Sequence, residues 1–155
     1  MKTTINGELS ITVPEGFRDM SIDELQRLYT ADIQTICGFW DEERHVIVVV
    51  TWNESNKLLA KIASVKDIAK RVEKAQSRAL KGAGYRKDGF FDTTIAGMAA
   101  RGLRFGYTAQ GIAQNAEAIV FIHDACCYTL YFYSRTENAA QDAVLQDEIL
   151  TSLAF

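Results

Sequence analysis

The chain has 155 residues, 48% hydrophobic and 24% charged, with a formal net charge of −3. That length suits a single domain over residues 1–155, large enough to bury a substantial core. The 17 Lys and Arg are spread along the chain apart from the short run Lys66–Lys74. No concentrated basic field exists for a nucleic-acid groove. No run of about 18 apolar residues is present, so no membrane-spanning helix is expected.

Residues Met1–Val13 contain one Lys and no apolar stretch, so no secretion signal is expected there. Cys37, Cys126 and Cys127 are an odd set with two neighbours. Reduced thiols in a cytoplasmic protein account for them most simply.

Asn6-Gly7, between Thr3–Ile5 and Leu9–Thr12, predicts a hairpin, because both residues tolerate positive φ. Pro14 ends its second strand. Ser21-Ile22-Asp23-Glu24 reads as a capping box opening a short helix over Ile22–Tyr29, with Met20 and Leu25 as its staple. A second hairpin pairs Ile33–Trp40 with Val46–Trp52 about the charged turn Asp41–Arg44. Val46–Val50 is apolar at both parities and is expected to be a central strand covered on both faces. Asn53–Lys57 reads as a polar connection. Ser64, with Asp67 three residues on, caps a long helix whose apolar positions Val65, Ile68, Ala69, Val72 and Ala75 keep the 3.6-residue period. Gly82 suits its end.

Phe90–Thr94 and Met98–Thr108 predict strands joined at Ala96-Gly97. Gly102 and Gly106 suggest bulges, or close packing beneath a helix. Ala109–Asn115 reads as a polar loop. Ala116–Tyr133 folds back about Asp124-Ala125, with apolar residues at both parities of each arm, and Glu137–Leu153 is a final helix. Strands not separated one by one by helices indicate α+β, with a central antiparallel sheet sandwiched between helices.

The order of elements resembles the PsbP-like superfamily, which includes a photosystem subunit, a Ran-binding transport factor and bacterial domains of unknown function. The resemblance is carried by Leu9–Phe17 before the capped helix, Ile95-Ala96-Gly97 leading to Arg104–Tyr107, and the Ala118–Ser134 hairpin before the last helix. It implies a non-catalytic binding or assembly role, and it assigns no catalytic, cofactor or metal residue to this chain.

His123-Asp124-Ala125-Cys126-Cys127 is the one cluster with reactive side chains. A zinc site would require His45 and Cys37 to converge on His123 and Cys126, and adjacent Cys126 and Cys127 point to opposite faces. A thiol enzyme would use Cys126 as nucleophile and His123 as base, but a two-residue reversal supplies no oxyanion donor. Gly82-Ala83-Gly84 follows a helix rather than opening one, so it is no phosphate cradle. Asp41-Glu42-Glu43 lacks the oxygen spacing of a calcium loop. Tyr128, Tyr131, Phe132, Tyr133, Phe39, Trp40 and Trp52 would form a partner site if exposed on one sheet face.

The leading expectation is a non-catalytic protein-binding or adaptor domain without cofactor. The alternatives are a thiol-dependent enzyme using Cys126 and His123, and a small apolar-ligand carrier with an enclosed cavity. An open sheet edge would admit a homodimer.

Overall fold

A computed structural model describes residues 1–29, 35–54 and 64–155. In chain order the elements are β1 (Lys2–Ile5), β2 (Leu9–Thr12), β3 (Arg18–Asp19), α1 (Ile22–Leu28), β4 (Ile36–Asp41) and β5 (Val46–Glu54). They continue with α2 (Val65–Ala79), β6 (Arg86–Ile95), β7 (Met98–Ala109), β8 (Ile112–His123), β9 (Cys126–Arg135) and α3 (Ala139–Thr151). Seven strands form one antiparallel sheet in the order β3-β4-β5-β9-β8-β7-β6, while β1 and β2 pair apart from it. The fold is the expected α+β sandwich.

The doubly apolar strands β5 and β9 lie side by side near the middle of the sheet, with Val48 opposite Phe132, Val49 opposite Tyr131 and Val50 opposite Leu130. Val46, Val48, Val50, Tyr128, Leu130 and Phe132 join Ile119 and Phe121 in one core. Val49 and Tyr131 join Leu103, Phe105 and Ala118 in a second core on the opposite face. Alternation along each strand makes both faces apolar, so both must be covered. The second core is closed by Met20, by Leu25 of α1, and by Val72 of α2. The first is closed by Ile5, Leu9 and Ile11 of the β1–β2 hairpin together with Ile149 and Leu153. One cover is therefore two helices, and the other is a hairpin beside one helix.

Hydrogen bonds lock that hairpin to the segment after α3. Ser10 N donates to Ala154 O at 2.8 Å, and Ala154 N donates to Ser10 O at 3.1 Å. The Ser152 hydroxyl accepts from Thr12 N at 2.9 Å, and its one proton lies between Ile149 O at 2.6 Å and Thr12 O at 3.1 Å. The expected capping box is formed: Glu24 N donates to Ser21 Oγ at 3.2 Å, and Ser21 N to Glu24 Oε1 at 2.8 Å. Ser64 accepts from Asp67 N at the start of α2.

Several expected boundaries shift. Ala109–Asn115 is not a loop. Gln110 (φ 51°) and Gly111 (φ 78°) form a two-residue turn, and Ile112–Asn115 pair with β7. Glutamine is an uncommon residue at positive φ, so the turn carried little signal. At Gly102 and Gly106 the close neighbours come from adjacent strands. A Cβ at Gly102 would occupy the place of the Phe91 ring, and one at Gly106 would meet the Arg86 guanidinium. The close packing comes from the neighbouring strand β6, whose bulge falls between Lys87 and Gly89. The last helix begins as a 3₁₀ turn at Thr136–Asn138 before Ala139. Residues 33–34 of an expected strand and 55–57 of the polar connection lie outside the described residues.

Gly102→Ala is expected to destabilise the fold by about 1–3 kcal/mol, the usual cost of overpacking. In a Phe91→Ala background the same change is expected to cost much less, because the ring that it displaces is gone. A urea-denaturation double-mutant cycle measures the coupling, and simple additivity would show that the ring is not the obstacle.

Candidate functional site

The cluster singled out in the sequence lies at one end of the sheet. His123 ends β8 and Cys126 opens β9, facing each other across a turn whose Asp124 and Ala125 have φ of 45° and 62°. Cys126 is buried, and desolvation raises the pKa of its thiol. Burial likewise pushes the Cys127 thiol up to about 11 and Cys37 up to about 12. A nucleophilic cysteine needs the opposite shift. The four-residue zinc convergence does not form either. His45 precedes β5, where Ile47 faces Tyr133, whereas Glu54 at the far end of that strand faces Cys126. Seven residue steps of extended chain separate those positions by roughly 23 Å.

The aromatic residues fill the interior. Phe39, Tyr128, Phe132 and Tyr131 are buried, and Trp40, Trp52 and Tyr133 pack against the two cores. Tyr131 and Tyr133 stack at 6.1 Å, and the Tyr29 and Tyr133 hydroxyls touch. They do not present an aromatic face to solvent. The cleft between α3 and strands β7–β9 has a volume of about 200 Å³ and includes Asp88, Arg104, Glu117 and Gln146 in its walls. Arg104 Nε donates to Glu117 Oε1 at 2.7 Å across it. A space so small and so charged does not suit a carrier of apolar ligands.

A different place carries an electrostatic anomaly. The β4–β5 turn, Glu15-Gly16 and α3 line a cleft of about 560 Å³. Five carboxylates line it (Glu15, Asp41, Glu43, Asp142 and Glu148), against the single guanidinium of Arg44. Asp41 holds that guanidinium: its Oδ1 accepts from Arg44 N and its Oδ2 from Arg44 Nη1, both at 3.0 Å. Arg44 Nη1 also donates to Glu15 O at 3.3 Å. Asp142 is only 5% exposed, and its Oδ2 is shielded from water without a hydrogen-bond partner. Desolvation raises its pKa, with Arg44 opposing the shift and Asp41 adding to it. A buried unpartnered carboxylate oxygen is costly and uncommon in folded proteins. Beside it on α3, Val144 is 70% exposed.

Neither feature was singled out in the sequence, although one signal was present. Asp142 precedes Leu145 and Ile149 at helical spacing, so a charge falls on the inward stripe of α3. The β4–β5 turn that completes the cleft reads as an ordinary solvated turn until the fold brings α3 beside it.

No protein-family profile matches the chain, and no curated protein sequence matches it. Solved structures do. The solution structure of cyanobacterial PsbP (CyanoP) from Synechocystis superposes with a TM-score of 0.75 at 13% identity, covering 99% of this chain and 90% of that one. The Ran-binding protein Mog1p of Saccharomyces cerevisiae gives 0.63 at 10% identity, over 99% and 93%. A Pseudomonas aeruginosa protein of unknown function, described as a putative regulator, gives 0.62 at 12%, over 100% and 96%. The chain has the PsbP-like fold expected from its sequence.

The carboxyl of Asp142 has a higher pKa folded than unfolded, where it lies near 3.9. Its stabilising contribution is therefore complete below the unfolded value and is lost as pH rises through the folded value. Asp142→Asn, which stays neutral, is expected to raise Tm at pH 7. Its advantage over wild type is expected to shrink as pH falls through the raised folded value and to be gone below about 4. Thermal unfolding across that range measures this; a Tm that falls at pH 7 would mean the carboxylate is satisfied in solution.

Proposed function

We propose that this chain is a non-catalytic adaptor that holds a basic segment of another protein in the acidic cleft beside α3. The observation that carries the reading is the buried, unpartnered Asp142 carboxylate in a cleft where carboxylates outnumber cations five to one. A Lys or Arg side chain from a partner would offset the surplus charge at the accessible carboxylates and lower the cost of the buried one beneath them. The exposed Val144 supplies an apolar contact in the same wall, as interface centres commonly do. Mog1p, which shares the fold, is itself described as Ran-binding, which agrees with a protein-recognition role while leaving this chain's partner open. The raised thiol pKa values argue against a cysteine nucleophile. Three free cysteines suit a reducing compartment such as the cytoplasm. No described helix is long and apolar enough to cross a membrane.

Pairing between copies has less support. The long edge strand is β6, and it carries Arg86, Lys87, Asp88 and Asp92 together with a bulge. Charges and bulges on an edge oppose strand addition.

The test uses tagged wild-type protein and the exposed double charge reversal Glu43→Lys/Glu148→Lys as baits in extract from the native cell. A partner retained by wild type is expected to be lost from the variant by about tenfold or more, and to be lost with added salt. A partner held equally by both baits, or wild type emerging alone, would contradict the reading.

A further inference from the structure

We propose that Glu8, His123 and Asp124 bind one divalent transition-metal ion, with zinc the metal that the donor set suits. Two turns bring the three residues together. Asn6 (φ 52°) and Gly7 (φ 69°) reverse the chain between β1 and β2, and Glu8 follows at once. Asp124, at φ 45°, starts the reversal after His123. Packing of the first hairpin against the sheet then sets Glu8 beside both residues. The ligand atoms of all three lie within 4.8 Å of one another. His123 Nδ1 is 3.6 Å from Glu8 Oε2 and 3.8 Å from Asp124 Oδ2.

Those separations are long for direct hydrogen bonds. They are close to the roughly 3.3–3.5 Å that separates ligands around a tetrahedral ion with bonds of about 2.0–2.1 Å. His123 Nδ1 is shielded from water and has no hydrogen-bond partner. An orphaned ring nitrogen aimed between two carboxylates is the arrangement that a cation resolves, because the nitrogen lone pair and both oxygens become donors to one centre.

The surroundings hold the ligands in place. The imidazole stacks on Phe155 at 3.8 Å between centroids and 11° between planes, which restricts its rotation. The Tyr128 hydroxyl donates to Glu8 Oε1, the oxygen turned away from His123, and itself accepts from Asn6 Nδ2 at 3.2 Å. Partners that orient a ligand in this way are typical of built metal sites. Asp124 is exposed while Glu8 and His123 are half-buried, which leaves the cluster open to solvent on the Asp124 side. Cys126 Sγ lies nearby, 3.6 Å from Asn6 Nδ2, but it is not among the converging ligand atoms, which come from Glu8, His123 and Asp124. The donors are thus one imidazole nitrogen and two carboxylates. Nitrogen favours zinc-class ions over magnesium or calcium, and the lack of a thiolate disfavours copper(I).

The site shares no residue with the acidic cleft, so it stands or falls independently of the adaptor reading. Chelator-treated protein titrated with zinc chloride by calorimetry is expected to bind one ion per chain, and zinc is expected to raise Tm. His123→Ala and Asp124→Asn are each expected to weaken binding by about tenfold or more and to abolish the Tm shift. Tyr128→Phe is expected to weaken it by roughly tenfold through Glu8, and His45→Ala not at all. Asp124 is exposed in a turn that tolerates asparagine, so that variant reads binding without a folding defect. The proposal is overturned if wild type binds no stoichiometric zinc, if Asp124→Asn and His123→Ala bind as wild type does, or if magnesium binds equally well. The second result would mean adventitious binding elsewhere, and the third a plain charge effect.

Discussion

Everything placed on one face of the sheet depends on the joint between the β1–β2 hairpin and the segment after α3. Strands β5 and β9 are apolar on both sides, and water has to be kept from both. On one side α1 and α2 do this with conventional amphipathic stripes. On the other, a two-stranded hairpin and a single helix share the task, and an isolated hairpin is marginally stable in water at best. The paired backbone bonds of Ser10 with Ala154, and the Ser152 hydroxyl bound to the backbone of Thr12, turn the two pieces into one cover. Leu9 and Ile11 can then bury completely beside Ile149.

The same joint locates the chemistry. It sets Glu8 against His123 at one end of the strands, and α3 against the β4–β5 turn at the other. The middle of the sheet is filled by large side chains such as Phe39, Phe121 and Tyr128, which are fully or almost fully buried. Two of the four shielded polar atoms without partners among the described residues lie where covering layer and strand ends meet. Asp142 Oδ2 and His123 Nδ1 both lie there without hydrogen-bond partners. A cover that served packing alone would have little reason to shield either atom from water. The first is the ground of the proposed adaptor role, and the second of the proposed metal site.

The fold was legible in the sequence because its strongest signals are local. Ser21 and Glu24 need only each other to start a helix, Asn6-Gly7 needs only positive φ, and the double apolar parity of Val46–Val50 states that both faces are covered. What local patterns leave open is which elements meet. Nothing in Glu8 announces that it will lie beside His123, 115 positions later, because that contact is set by the docking of the first hairpin. Asp142 could have been noticed as a charge on an apolar stripe, but its meaning depends on Asp41 and Arg44 arriving from another strand pair. The aromatic residues were ambiguous for a related reason: tyrosine suits both cores and interfaces, and only the arrival of covers on both faces decides in favour of the core.

Hydrogen exchange at the backbone amides of Ser10 and Ala154 tests the central claim most directly. If hairpin and helix form one cover fused to the sheet, these amides should exchange by the same opening as those of Val48 and Leu130, with comparable protection. Exchange at Ser10 and Ala154 that is orders of magnitude faster, while β5 and β9 stay protected, would show that the cover opens by itself and does not set the geometry assigned to it.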